Sequence, residues 1–232
     1  MLLLVLVGCD PPPPERLPDI GMAPLADLSL EQTSTGRTRL RFSTTIVNVG
    51  AQPFELHGSR SSTDSPTMSV DQRFDDGEGG HLDVDTAATA YFGGDGHNHW
   101  HVRDLETYEL ERLDNGSRVG TGVKHGFCFY DNVGYRTSLP GSPAGPVYTN
   151  CGNSSDLQVL MGLSVGWGDR YRAGLVDQYI DITGLGSGQY RLTATADQSG
   201  WFWESREDNN ATWVDLRLRG SKVSVIGYGP SA

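Results

Sequence analysis

The sequence predicts an all-β fold, a single β-sandwich-like domain with long functional loops, and three observations carry that prediction. Glycine and proline are abundant, thirty and twelve of 232 residues, and both punctuate turns and weaken helices. Between them stand short runs rich in Val, Thr, Tyr and Leu, which suit a pleated, half-buried surface. The third observation is alternation. In TRLRFSTTIVNVG, residues 38–50, Leu40, Phe42, Thr44 and Ile46 fall on one face of an extended strand. A chain of this length buries an ordinary hydrophobic core in one domain.

Residues 1–8, MLLLVLVG, are wholly apolar and run into Cys9, after which Pro11, Pro12, Pro13 and Pro14 follow in a row. The pattern resembles a lipoprotein signal, so residues 1–9 read as a signal peptide ending at a lipidated Cys9. An ordinary signal peptide, or an apolar start to the domain, is the other reading of the same residues. Residues 10–24 carry too much proline for helix or central strand and read as a stiff tether. The domain proper then spans 25–232. It opens with LADLSLEQ, a turn at Gly36 and the strand 38–50. Residues 58–80, dominated by Ser, Asp and Gly, read as a long surface loop. An ordered section follows from about residue 86 to 130, then a second Gly, Pro and Ser-rich excursion over 132–156. The chain closes on short strands in LVDQYIDIT, QYRLTATAD and ATWVDLRLRG, with GLGSG as a turn.

Charge and cysteine content narrow the setting. Eighteen basic against 29 acidic side chains give a net charge of -11, which repels nucleic acid and anionic headgroups and favours basic or amine partners. Past the first residues no apolar stretch is long enough to span a bilayer. The expected setting is the cell envelope, facing the periplasm or exterior and held to the membrane through a lipid anchor only. With Cys9 taken by lipid, Cys128 and Cys151 remain as an even pair in a compartment that permits a disulfide. Two free buried thiols are the alternative.

The chemistry concentrates in GDGHNHWHV, where His97, His99 and His101 recur with the period of a strand. On an extended backbone three such imidazoles share one face, about 7 Å apart. Three neutral nitrogens can then converge on one ion of copper, zinc, iron or nickel, with a coordination position left open for chemistry.

From here the residues resemble the lysyl oxidase family in its bacterial branch. Its copper motif of alternating histidines is similar to His97, His99 and His101. The segment GVKHGFCFYDN is similar to the family segment that holds the cofactor lysine, which places that role on Lys124. GLSVGWGDRYRAGLVDQYIDIT is similar to the segment with the cofactor tyrosine, which falls on Tyr171. The resemblance implies that 25–232 is a catalytic domain with copper and lysine tyrosylquinone, a cofactor made from the protein's own Lys124 and Tyr171. It implies a protein-lysine 6-oxidase-like reaction in which a primary amine, or a lysine-containing protein, is converted to aldehyde by dioxygen with release of ammonia and hydrogen peroxide. A carboxylate is the usual base for such a step, and Asp169 stands at the matching position; a turn-forming Asp after Gly168 is the other reading. The resemblance also implies a calcium site, drawn from Asp27 and Leu28 in LADLSL and from Glu204, Asn209 and Asn210 in ESREDNN. Arg206 departs from that pattern, since the family carries an acidic residue there, and an Asx-rich turn is the alternative for this stretch.

Two rivals to the oxidase follow from the same residues. A copper-binding envelope lipoprotein without oxidase activity needs the histidines but neither Lys124 nor Tyr171. A zinc hydrolase needs a glutamate in hydrolase spacing, which the histidine segment lacks.

Overall fold

The computed structural model describes residues 13–93 and 98–232, and at residues 14 and 123–125 the backbone only. Among the described residues the regular structure is almost entirely strand, as the turn-rich, β-branched sequence dictates. One short 3-10 turn, Pro14–Arg16, precedes fifteen strands. The first four are β1 (Ile20–Met22), β2 (Ala26–Gln32), β3 (Thr38–Asn48) and β4 (Phe54–Ser59). Next come β5 (Thr67–Asp75), β6 (His81–Phe92), β7 (Trp100–Arg112) and β8 (Arg118–Phe127). The irregular middle holds β9 (Val133–Gly134), β10 (Gln158–Leu163), β11 (Trp167–Tyr171) and β12 (Tyr179–Asp181). The chain ends with β13 (Gly188–Ala196), β14 (Ala211–Arg219) and β15 (Lys222–Tyr228).

These strands form two antiparallel sheets. The smaller runs β1-β3-β11-β9, with β2 and β12 also paired to β3. The larger runs β10-β4-β5-β6-β7-β13-β14-β15, with β8 added on β7. Leu40, Phe42 and Ile46 are fully buried as the alternation in β3 requires, and the Phe42 ring meets that of Tyr108 edge-on at 4.8 Å across the sheets. Phe54, Phe129 and Phe202 continue the core with edge-on contacts of 4.9 and 5.1 Å.

Two expectations are corrected. The proline-rich tether does not extend to residue 24. Leu17, Ile20, Met22 and Ala23 are buried, and β1 pairs with β3 through Ile20↔Asn48. Proline density ends at Pro18, and the apolar residues after it have a core to enter. The stretch 58–80 is not one loop either, because β5 runs through it in TMSVDQRFD, with Met68, Val70 and Phe74 inward. Its Ser and Asp residues occupy the outer positions of that alternation, which hid the strand.

The excursion 132–156 has little regular structure but is firmly held. Cys128 and Cys151 form a disulfide across 23 positions. The buried Asp131 carboxylate accepts from the amides of Val147, Tyr148 and Ser164 and from the Ser164 hydroxyl, at 2.7 to 3.2 Å. Beyond the bridge, the Cys151 carbonyl accepts from the Trp100 amide at 2.9 Å, and the Asn153 carbonyl from the Trp100 indole at 2.8 Å. The loop is thereby tied to the start of β7.

In a Cys151→Ser variant the loss of loop closure lowers unfolding stability by roughly 3 kcal/mol, measured as a shift in the denaturant midpoint. Hydrogen exchange at the Trp100 amide should accelerate in the same variant, because its acceptor is no longer tethered.

Candidate metal and cofactor site

His99 precedes β7 and His101 lies in it, with their ring centroids 4.4 Å apart. Trp100 between them faces the core and is fully buried, so the chain alternates here as a strand does. The third residue of the trio, His97, lies outside the described residues. His101 is 4 % exposed and pairs in register with Tyr91 of β6, whose ring lies 5.6 Å away. Gly126 on β8 makes room for both. A Cβ there would run into the Tyr91 hydroxyl and the His101 ring.

Tyr171 ends β11 and is buried, its ring 4.5 Å from that of Phe127. Its hydroxyl accepts from the Cys128 amide at 3.0 Å. Burial, then the Asp169 charge, push the phenol well above its ordinary pKa, and the Cys128 bond only partly opposes them. Asp169, two residues back on the same strand, is fully buried and accepts from the Asn132 amide. Asn132 in turn takes the Arg170 amide at 2.8 Å, so one side chain fixes two consecutive residues of β11.

Lys124 occupies β8 opposite Glu106 of β7. Two and four positions back along β8, Gly122 and Gly120 turn their Cβ directions toward Tyr108, Leu110 and Ile180 in the interior. Three consecutive residues of this strand and its exit therefore reach both His101 and Tyr171. Lys124 stands just before them, Gly126 borders His101, Phe127 borders Tyr171 from the opposite face, and Cys128 donates to the phenol. The sequence pointed to Lys124, Tyr171 and the histidines. It passed over Glu106, Tyr91 and Gly126, although the parity Glu106, Tyr108, Leu110 marks that glutamate as a core position.

The calcium residues are partly regrouped. Asp27 is not among the acidic and amide residues near the end of the chain. Its carboxylate binds the Ser43 hydroxyl and the Arg170 guanidinium, each at 2.6 Å, while Leu28 packs on the core. Asp19 and Ile20 take their place. The Asn209 amide donates to Asp19 at 2.9 Å, and Glu204 accepts from the Ile20 amide at 2.6 Å and from Asn210 at 2.9 Å. On β3 the two candidate positions are five residues apart, at Asn48 and Ser43, or about 16 Å along a strand. A second Asp-Ile/Leu dipeptide eight residues upstream is the signal that could have found them.

The oxygen set fits a hard cation. The Asn209 and Asn210 side-chain oxygens are buried with no hydrogen-bond partner, where a buried acceptor ordinarily finds one. Burial raises the pKa values of Asp19, Asp197 and Glu207, and holds that of Glu204 well above the carboxylate range, with neighbouring charges adding to it. Arg206 is turned to Asp208 at 2.8 Å, and Glu207 bonds Asn210 at 3.2 Å. The Arg206 cation is thereby drawn outward, while Glu207 stays with the cluster through Asn210.

Fold and site together define a two-sheet β domain in which an imidazole pair and a buried phenol flank one lysine-bearing strand. The lysyl oxidase family model matches residues 86–227, and the chain belongs to the lysyl oxidase family. Among curated relatives, lysyl oxidase homolog 4 of Mus musculus is 32 % identical over 128 residues, 55 % of this chain and 15 % of its own length. Lysyl oxidase homolog 3A of Danio rerio is 30 % identical over 127 residues, again 55 % of this chain and 16 % of its own. Protein-lysine 6-oxidase of Homo sapiens is 31 % identical over 135 residues, 56 % of this chain and 29 % of its own. The matched stretch thus spans less than a third of each of these three proteins.

Calcium should raise the thermal midpoint of the protein, and by more at about pH 7.5 than at about pH 5, because protons held by carboxyls of raised pKa compete with the ion. Asp19→Asn should remove that increment while Asp27→Asn leaves it intact, as read by thermal unfolding with and without chelator.

Proposed function

We propose that this protein is a copper-dependent oxidase of primary amines, with peptidyl lysine among its substrates and a lysine tyrosylquinone made from Lys124 and Tyr171. The observation that carries the reading is the convergence on the end of β8, where the lysine-bearing strand runs between the histidine pair and the buried phenol. Membership of the lysyl oxidase family supports the same reading.

His97, His99 and His101 would hold the copper, whose redox chemistry with dioxygen would supply the oxidation of the Tyr171 ring, and the quinone made from Lys124 and Tyr171 would take two electrons from each substrate amine and pass them to dioxygen. The net reaction takes one primary amine, one dioxygen and one water to aldehyde, ammonia and hydrogen peroxide. The remaining contributions come from the chain itself. Burial and then the Asp169 charge hold the Tyr171 phenol well above its ordinary pKa. The Cys128 amide fixes that oxygen in direction. Asp169, oriented by Asn132 and close enough to bear on the phenol, is the carboxylate positioned to remove a substrate proton. The Trp100, Phe127 and Phe129 side chains line the interior and exclude water from it.

The setting proposed is the cell envelope, with Cys9, outside the described residues, as the lipid-bearing residue. The Cys128–Cys151 bridge suits the oxidising compartment that this placement implies. Calcium bound at Asp19, Glu204, Asn209 and Asn210 would be structural.

Aerobic copper reconstitution should give a visible absorbance that reacts with phenylhydrazine, one cross-linked peptide holding Lys124 and Tyr171, and peroxide release with an amine. Lys124→Arg, whose guanidinium stays protonated, and Tyr171→Phe should each abolish all three while retaining copper. If the parent protein instead binds copper, keeps uncross-linked peptides and releases no peroxide with any amine, it is a copper-binding lipoprotein and not an oxidase.

A Cys9→Ser protein should move from the membrane fraction to the soluble fraction on cell fractionation. Retention at the parental level would remove the anchor from the account.

A further inference from the structure

Glu106 is fully buried in the interior between the sheets, where an ionised carboxylate costs several kcal/mol unless it is paired and hydrogen-bonded. Its Oε2 accepts from the Tyr108 hydroxyl at 2.8 Å and the Thr44 hydroxyl at 3.2 Å. The Gln178 amide donates to Tyr108 at 2.9 Å and to Thr44 at 3.3 Å, closing a ring of four polar side chains. Two register pairs then meet at this carboxylate. Thr44 of β3 stands opposite Tyr171 of β11, and Glu106 of β7 stands opposite Lys124 of β8. Paired residues of an antiparallel ladder share a face, with their Cα atoms about 5 Å apart. The two cofactor positions are therefore joined by two ladder pairs and one hydrogen bond, and Glu106 is the only ionisable link in that chain. Its charge also bears on the Tyr171 phenol, adding to the rise in its pKa.

We propose that Glu106 pairs with Lys124 and accepts its proton when the lysine amine becomes a nucleophile. The inference rests on the reading of Lys124 and Tyr171 as cofactor residues. One proton passes from the Lys124 ammonium to a carboxylate oxygen of Glu106, the electron pair stays on nitrogen, and no oxidant enters this step. Among the described residues, Tyr108 on its own strand and Tyr171 on β11 are titratable groups that feel the Glu106 charge, and Lys124 of β8 stands opposite it in register. Thr44 and Gln178 contribute no charge. Asp169, the carboxylate beside Tyr171, lies on β11, and only Glu106 is in register with the lysine.

Two measurements on the full chain test the proposal. In the metal-free protein, competitive acetylation read by mass spectrometry gives the titration midpoint of Lys124. Glu106→Gln, which keeps the acceptor oxygen for both hydroxyls, should lower that midpoint by about one pH unit or more, since an ammonium loses its counter-charge. After aerobic addition of copper, the Gln variant should bind the metal as the parent does. It should build the phenylhydrazine-reactive absorbance on the order of a hundredfold more slowly near neutral pH and recover as pH rises, when solvent takes the proton instead. Equal midpoints in parent and variant overturn the proposal even if assembly slows, because the glutamate is then only structural. An unchanged rate overturns the proton transfer. A parent that builds no cofactor while the midpoints still separate sinks the cofactor reading and leaves the Glu106–Lys124 pair standing. Should the Gln variant not fold, Tyr108→Phe keeps the ring against Phe42 and strips one donor from the carboxylate. The Lys124 midpoint should then rise, and no movement overturns the pairing.

Discussion

One buried negative charge constrains how the two sheets can meet. The Glu106 carboxylate is satisfied by hydroxyls from β3 and β7, backed by Gln178 just before β12. Tyr108 lies two residues along the same strand, but Thr44 and Gln178 come from distant parts of the chain, so the full ring closes only when the sheets dock in one arrangement. A slip of one residue along β3 would turn Thr44 away and leave a carboxylate short of donors in a low-dielectric interior. A hydrophobic side chain of similar volume could serve stability as well or better. What the polar ring adds is uniqueness of register, and register places Tyr171 and Lys124.

The histidine strand is fixed from its other side by a different device. Trp100 is held through its amide and its indole by carbonyls of the disulfide loop. The Arg60 guanidinium stands 4.6 Å over the same indole and donates to the carbonyls of Ser65, Ser154 and Asp156. Loop carbonyls that a small edge of core could not satisfy are gathered by one cation and one ring. The result is a stiff back to a strand whose front carries the imidazoles, which is what a preorganised metal site requires.

How much of this was legible in the sequence follows from what each signal depends on. The fold class and β3, β13 and β14 were visible because alternation and turn residues are local. The histidine spacing was visible for the same reason, and Lys124 and Tyr171 were singled out only through family resemblance, since no local rule joins positions 124 and 171. β5 was missed because polar residues fill its outer face, and β1 because three residues between prolines carry no periodicity. Asp27 and Asp19 each begin an apolar strand with an Asp and an aliphatic residue, so pattern alone could not separate them. The difference is tertiary. Asp19 meets the turn at 204–210, whereas Asp27 meets Arg170. Glu106 was overlooked although its parity with Tyr108 and Leu110 marks a core position, because a buried glutamate acquires its meaning only from the opposing sheet, where Thr44 donates to it.

The cluster of acidic and amide residues and Tyr171, which look independent, both border β3. Glu204 and Asn209 bind Ile20, Asp19 and the Met22 amide, and so pin β1 to the turn after β13. β1 is in register with β3 from Ile20↔Asn48 to Met22↔Ile46, and Thr44 follows two residues further along the same strand. Several carboxyls whose pKa is raised chiefly by burial gather at that end, beside the short edge strand β1. A bound divalent ion would attract these carboxylates and hold β3 straight up to the residue that pairs with Tyr171 and bonds Glu106. Calcium bound there would then act on the candidate site from a distance, by fixing the register of β3 beside Tyr171.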